Sequence, residues 1–337
     1  MTVISQIILA IAVFLIIFLA VLVVFTIIRA DRLNRNREAV ELYINDYADQ
    51  WYDYLYNGHK LPQTNRHSKL HQHAIEKIFS TFLSNGKTKD VERRISSYAR
   101  VSFSNEYRKE LKSPLWAKRV NALNKIAEFK VPGFTDIYSA RDIDAMKSFE
   151  FYLFLIYLSI YDFDRFRYKF LDNRALTEYE NKKILSRLSN DAVLSLIPAF
   201  EQMSLTTRYA FLSRVARVGH DQPLEWLESL FDSEDSETRI RALKTIQLIG
   251  SVHDPEKYTA YFTSSVWEER MIVSRLAPII GDSTVPLLKV CASDKNRLVQ
   301  SAALNSLAYF GFNEPGWSVQ TNMYQDEMKE VSKLKWT

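Results

Sequence analysis

The sequence predicts an all-α protein in which one N-terminal transmembrane helix is followed by an α-solenoid of stacked helix pairs. Three observations lead there. Residues 2–28 carry no charge, and from Ile7 to Ile28 the one polar residue is Thr26. Arg208, Arg239, Arg270 and Gln300 form a column of nearly constant spacing, and Gly219, Gly250, Gly281 and Gly311 each stand eleven residues downstream of a column member. Between column and glycine, apolar residues recur at offsets of three (Phe211, Ala242, Val273, Ala303), seven (Val215, Ile246, Ala277, Leu307) and ten (Val218, Ile249, Ile280, Phe310). Those offsets are one face of a helix, and a glycine straight after them is where a helix closes in a left-handed cap.

The first element, residues 1–28, is a signal-anchor helix whose residues 4–28 contact the bilayer. The 22 residues from Ile7 to Ile28 reach about 33 Å as a helix, enough to cross the hydrocarbon. A cleavable signal peptide would have a shorter apolar core, basic residues before it and a small-residue cleavage site behind it, and none of these is present. Arg29, Arg32, Arg35 and Arg37 follow the helix against a single Asp31, while only the amino terminus precedes it. The positive-inside bias therefore predicts a single-pass protein of the cell membrane with its N-terminus outside and its C-terminal domain cytoplasmic. The same arginines attract anionic headgroups. One span forms no channel alone, so its expected role is tethering.

Residues 29–112 read as a juxtamembrane helical region. Between 36 and 57, Tyr43, Tyr47, Trp51 and Leu55 make one stripe and Asp46, Asp49 and Asp53 another, as in an ordinary amphipathic helix, although three acids on one face also suit a hard cation. Asn57-Gly58 ends it. His59, His67, His71 and His73 are four of the six histidines. His67 and His71 are spaced to share a helical face, as two transition-metal ligands would be, but no cysteine or interposed glutamate completes a site. A solvated polar face is the plainer reading, and no metal or other cofactor is expected. Residues 88–130 read as two further helices.

Residues 113–203 read as divergent repeats. Trp116-Ala-Lys-Arg119 echoes Trp267-Glu-Glu-Arg270, with Ala122, Leu123 and Ile126 in the same register. The aromatic run from Phe149 to Tyr161 has no charge between Phe151 and Tyr161; it is too short to span a membrane, and a helix buried between layers is expected rather than a lipid or partner surface. Residues 204–313 are the clear repeats. After the first three glycines, Pro223, Pro255 and Pro286 open second apolar segments, so each unit reads helix, short loop, helix, and such units stack to bury one another's apolar faces. Trp267 to Arg270, Thr238-Arg-Ile-Arg-Ala-Leu243 and Gly281-Asp-Ser-Thr-Val-Pro-Leu-Leu288 resemble HEAT repeats of the short bacterial type. No acidic column accompanies the arginines at fixed spacing, so a stack without a regular charged ladder is expected. Residues 314–337, with Tyr324, Met328, Val331 and Leu334 at helical spacing, read as a capping tail.

Composition narrows the function. A net charge of +4 from 44 basic and 40 acidic residues gives no case for nucleic acid, and nucleic-acid binding is not expected. The single cysteine, Cys291, excludes an internal disulfide and reads as a small core residue. With eight glycines and neither nucleotide-binding glycine pattern, no phosphate loop is available. No paired nucleophile and base motif stands out either. A repeat fold that yields extended binding surfaces then favours a non-catalytic scaffold over an enzyme; the alternative is a metal-dependent enzyme using His67, His71 and His73 with the nearby aspartates. Ser213, Lys244, Arg275 and Asn305, five residues beyond the column, with Arg214, Arg217 and Arg241 close by, form a partly basic row, assigned to the repeats' second helices, that suits an acidic segment of a membrane-associated protein partner. The layout of a lone anchor before HEAT-like units resembles accessory subunits beside membrane enzymes, envelope glycosyltransferases among them.

Overall fold

The computed structural model describes residues 3–63, 68–86, 88–172, 174–218 and 221–312, and these are helical with no strand among them. The expected capping tail, His67 and Gly219 lie outside the described residues. The chain divides into two compact units, residues 1–157 and 158–337.

The first unit begins with α1 (Val3–Tyr52), an unbroken helix of 50 residues. No glycine or proline occurs before Gly58, so nothing in the backbone interrupts it. Its apolar N-terminal part, a candidate membrane span, has a window of mean hydropathy 2.9 with none of it buried. Among the described side chains Val40 is the first that is buried. Twelve helical steps separate it from Ile28, about 18 Å of rise. From there α1 is an ordinary core helix: it packs on α2 (Lys69–Asn85), and Trp51, 0% exposed, meets Phe79 and Tyr98 edge-on at 5.1 and 5.0 Å. A π turn over residues 53–57 closes at Gly58, whose φ of 73° a side chain would resist.

Ser68 and Thr88 cap α2 and α3 (Lys89–Ser102) with their hydroxyls. Arg94 of α3 donates to the Tyr54 and Leu55 carbonyls at 3.2 and 2.7 Å, which ties α3 to the end of α1. Where two helices were expected over 88–130 there are three, because α3 is followed by α4 (Ser104–Leu111) before α5 (Trp116–Glu128). The expected boundary at 112/113 falls between α4 and α5, which pack on each other within this unit. After the short α6 (Ala140–Asp144) comes α7 (Ser148–Tyr161). Phe151 and residues 153–158 are buried there, as expected of the aromatic run, with Tyr157 accepting a hydrogen bond from the Phe134 N–H at 2.9 Å.

The second unit holds α8 (Phe163–Phe170), α9 (Glu178–Leu185), α10 (Asn190–Leu194), α11 (Leu205–Val215), α12 (Leu224–Ser229), α13 (Ser236–Ile249), α14 (Trp267–Ile280), α15 (Val285–Cys291) and α16 (Arg297–Tyr309). The helices carrying the column, α11, α13, α14 and α16, pack in that order, each on the next. Their offset-three and offset-seven residues are all buried. Hydroxyls repeat the register: Thr245, six beyond its column residue, donates to the Leu212 carbonyl at 3.2 Å, and Ser306, also six beyond, donates to the Ser274 carbonyl at 2.6 Å. Gly250 takes φ 81° and donates to the Ile246 carbonyl. The proline-led segments are shorter than the column helices: α12 with a 3-10 turn, a 3-10 helix over Pro255–Thr263, and α15. So short a repeat leaves little chain for them once the column helix and its two turns are built.

Candidate functional site

The arginine column is internal architecture. Arg119, Arg239, Arg270 and Gln300 each donate from the side chain to the carbonyl six residues upstream, those of Ser113, Ser233, Ser264 and Asp294, at 2.9, 2.7, 2.6 and 2.5 Å. A long side chain at the first turn of the helix thereby fastens the preceding loop to it, giving otherwise orphaned turn carbonyls a donor. Arg208 makes the related bonds to Met203 and Glu201. The guanidiniums also hold carboxylates: Arg208 pairs with Glu201, seven residues before it, at 2.9 Å, and the other three each hold a later acid, Arg119 holding Glu150, Arg239 holding Glu269 and Arg270 gripping both oxygens of Asp294. Arg270 keeps the Asp294 carboxyl below the usual carboxylate range. Each of these later acids follows its arginine at a different separation along the chain, so no single sequence offset could have revealed them.

One further member of the series escaped the sequence reading. Asn181, on the helix α9 that packs against α11, is fully buried and donates to the Leu176 carbonyl at 3.5 Å. Its signal was the capping box of Thr177 and Glu180, which opens that helix just before it.

The basic residues assigned to a partner divide into two groups. They lie on the column helices themselves and not on the proline-led segments, since each is within ten residues of a column member in the same helix or its last turn. Arg214 is engaged internally: it donates to the Leu185 and Leu188 carbonyls and to Asn190 Oδ1 at 3.3, 3.0 and 2.9 Å, and burial, then the Arg217 charge, lower its pKa. Arg241 pairs with Glu237 at 2.6 Å and Glu178 at 2.9 Å and lies over the Tyr209 ring at 4.3 Å. Arg217, Lys244, Arg275 and Asn305, by contrast, are exposed, and their side chains have no hydrogen-bond or ion-pair partner among the described residues.

Arg214, Arg217, Arg241 and Lys244 come together with Lys182, Ser213 and Leu248 around a groove of about 480 Å³ that crosses α9, α11 and α13. Glu237 is the acid in its lining. A second row accompanies the first. Nine residues beyond the column stand Arg217, Leu248, Ile279 and Tyr309, and the last three are 74%, 38% and 71% exposed. Each lies four residues beyond a member of the polar row, hence on the same helical face. Their apolar character was visible in sequence, but their exposure was not.

The histidines are placed apart from any such surface. The His71 ring meets that of Tyr43 at 4.6 Å, tilted by 37°, with a buried Nδ1 that finds no partner among the described residues, and His73 is exposed at a polar cavity of about 300 Å³ shared with Glu76, Glu106, Tyr107 and Glu110. Burial, then Glu76 and Glu106, raise the Glu110 pKa there. Asp46 and Asp49 are exposed, while Asp53 accepts from Asn57. Among the described residues no three His, Cys, Asp or Glu are grouped to hold a metal. Arg29, Arg32, Arg35 and Arg37 project into the surroundings from α1, with Arg35 paired to Asp31.

No family model matches the chain, and no curated protein does. A crystal structure of an engineered protein, a structural-genomics target, aligns over 69% of this chain and 95% of its own at 13% identity and a TM-score of 0.32, a likeness too slight to inform the fold.

Proposed function

We propose that this chain is a non-catalytic, membrane-tethered scaffold: α1 anchors it in the cell membrane, and a HEAT-like solenoid on the cytoplasmic side holds another membrane-associated protein. The observation that carries the reading is the exposed face of the column helices, where Arg217, Lys244 and Arg275 have no hydrogen-bond or ion-pair partner among the described residues and Leu248, Ile279 and Tyr309 are exposed beside them. Unpaired cations next to bare apolar side chains are what a protein interface leaves when its partner is away. The ordered packing of α11, α13, α14 and α16 supports the solenoid. Tethering raises the effective concentration of two proteins in one membrane, so a modest face suffices. An accessory subunit beside a membrane enzyme, such as an envelope glycosyltransferase, is the role this layout fits.

The test is site-specific photocrosslinking in native membranes, with the full-length chain carrying a benzophenone side chain at Leu248 and, as a control, at the exposed Val101 of the first unit. Leu248 is expected to capture one integral membrane protein that Val101 does not, and Lys244→Glu with Arg275→Glu is expected to abolish the adduct. Equal capture from both positions, or none, overturns the proposal.

A further inference from the structure

We infer that the two-row face on α13, α14 and α16, with Arg217 just past the end of α11 beside it, receives an acidic amphipathic helix of the partner, lying across the column helices with its apolar residues about seven apart. The inference rests on the scaffold reading and adds the chemistry and geometry of what is bound.

Charge selects the occupant. Arg217, Lys244 and Arg275 present three cations with no ion-pair partner among the described residues, Glu237 of the same groove being held by Arg241, so glutamates or aspartates on the incoming segment are the complement. A second copy of this chain, docked through the same face, would set these cations against each other, because a two-fold interface pairs a patch with itself. The apolar row adds specificity that charge alone lacks. Leu248, Ile279 and Tyr309 occur one per column helix, and packed helices lie about 8–10 Å apart. Seven residues of α-helix rise about 10.5 Å. A helix crossing the three would therefore set an apolar residue against each rung at heptad spacing. Two intervals between rungs, plus a turn at either end, need about 22 residues. An extended segment offers a mismatch, since the same interval falls on every third residue, where alternate side chains point away from the face.

The probe is a synthetic peptide of about 22 residues, the length that crossing requires, with leucines at heptad-compatible positions flanked by glutamates. It is compared with a peptide of the same pattern carrying lysine for glutamate and with a scrambled peptide of identical composition. Binding is followed by fluorescence anisotropy to the full-length chain in phosphatidylcholine nanodiscs. The acidic amphipathic peptide is expected to bind, and the lysine and scrambled peptides to bind at least about tenfold more weakly, the scale of one hot-spot contact. Lys244→Glu with Arg275→Glu should weaken the acidic peptide at least about tenfold, and so should Leu248→Ser with Tyr309→Ser. All four positions are exposed, and an unchanged thermal profile for each variant checks that the fold is intact.

Equal binding of the acidic and lysine peptides overturns the inference. So does acidic-peptide binding that survives the serine pair, since plain charge attraction would explain it. Insertion of the face into phosphatidylglycerol-containing nanodiscs, with no peptide bound, assigns it to anionic lipid and overturns it as well. If the peptides fail while crosslinking from Leu248 still captures a membrane protein, the scaffold stands and the helical acidic partner falls. Failure of both removes the scaffold reading too.

Discussion

Replacing Arg239 by alanine should destabilise the second unit far more than replacing Arg275, although both are arginines on neighbouring column helices. The Arg239 side chain is 19% exposed and its partner Glu269 only 1%. Removing the guanidinium strands a buried carboxylate that keeps one protein donor, the Ser264 hydroxyl at 2.5 Å, and leaves the Ser233 and Glu234 carbonyls without theirs. Breaking a buried pair from one side costs about 3–5 kcal/mol. At about 2–4 °C per kcal/mol for a unit of this size, the melting temperature should fall by about 6–20 °C. Arg275→Ala removes an exposed side chain with no polar partner and should stay within about 0.5 kcal/mol. The chain supplies its own reporter, because its single cysteine, Cys291, is 2% exposed and donates to the Phe262 carbonyl. Burial raises its thiol pKa and keeps it unreactive while folded. A thiol-reactive dye on detergent-solubilised full-length protein therefore reads the unfolding of this unit. The paired change Arg239→Met with Glu269→Leu should recover much of the loss, since neither charge is then left alone. Equal melting temperatures for Arg239→Ala and Arg275→Ala would refute the clamp.

Two further outcomes follow from the same contacts. Asp294 is held below the usual carboxylate range by Arg270, so its contribution is complete above the unfolded value of about 3.9 and is lost as pH falls through the lower folded value; Asp294→Asn should cost about 2 kcal/mol at pH 7, yet lose less additional stability than the wild type between pH 5 and pH 3 in the same dye assay. On the proposed topology a C-terminal tag is protected from protease in intact cells, and changing Arg29, Arg32, Arg35 and Arg37 together to glutamate should remove the charge bias and make it partly accessible; digestion of the tag on the unmodified chain would show the opposite topology.

Much of the local fold was legible because its determinants repeat. The column, the buried offsets of three and seven, and the Gly250 cap all appear as periods in the residues, and the echo of Trp116 to Arg119 in Trp267 to Arg270 extends to the same carbonyl contact six residues back. The rest was hidden for physical reasons. The acids that receive the arginines sit on the next helix for Arg239, on α7 for Arg119 and in a turn for Arg270, because loop length changes the route by which a carboxylate reaches the same place. The junction at Arg29 looked like the end of one element because charge begins there. Charge ends a membrane span without ending a helix, and the lack of glycine or proline before Gly58 was the better guide. Periodicity also assigns apolar residues to a face without saying how much of that face is covered. Ile246 is buried and Leu248, two residues on, is 74% exposed.

The six candidate partner residues also teach how a basic row should be read. Arg214 and Arg217 are three residues apart and Arg241 and Lys244 likewise, yet the first of each pair is bound to carbonyls or carboxylates of its own unit and the second faces outward without a partner. A guanidinium within reach of turn carbonyls is drawn into the fold, since those acceptors are otherwise unsatisfied. What remains outside is the residue whose helical position points beyond that reach. Loss of partner capture on mutating Arg214 or Arg241 would therefore report an unsettled groove wall as much as a lost contact. Lys244, Arg275 and Arg217 are the positions at which loss of capture with an unchanged thermal profile has one meaning. The proposed interface is the set of charges the fold has left over, and it is recognised by subtraction: first the carbonyls, then the carboxylates, and only then a partner.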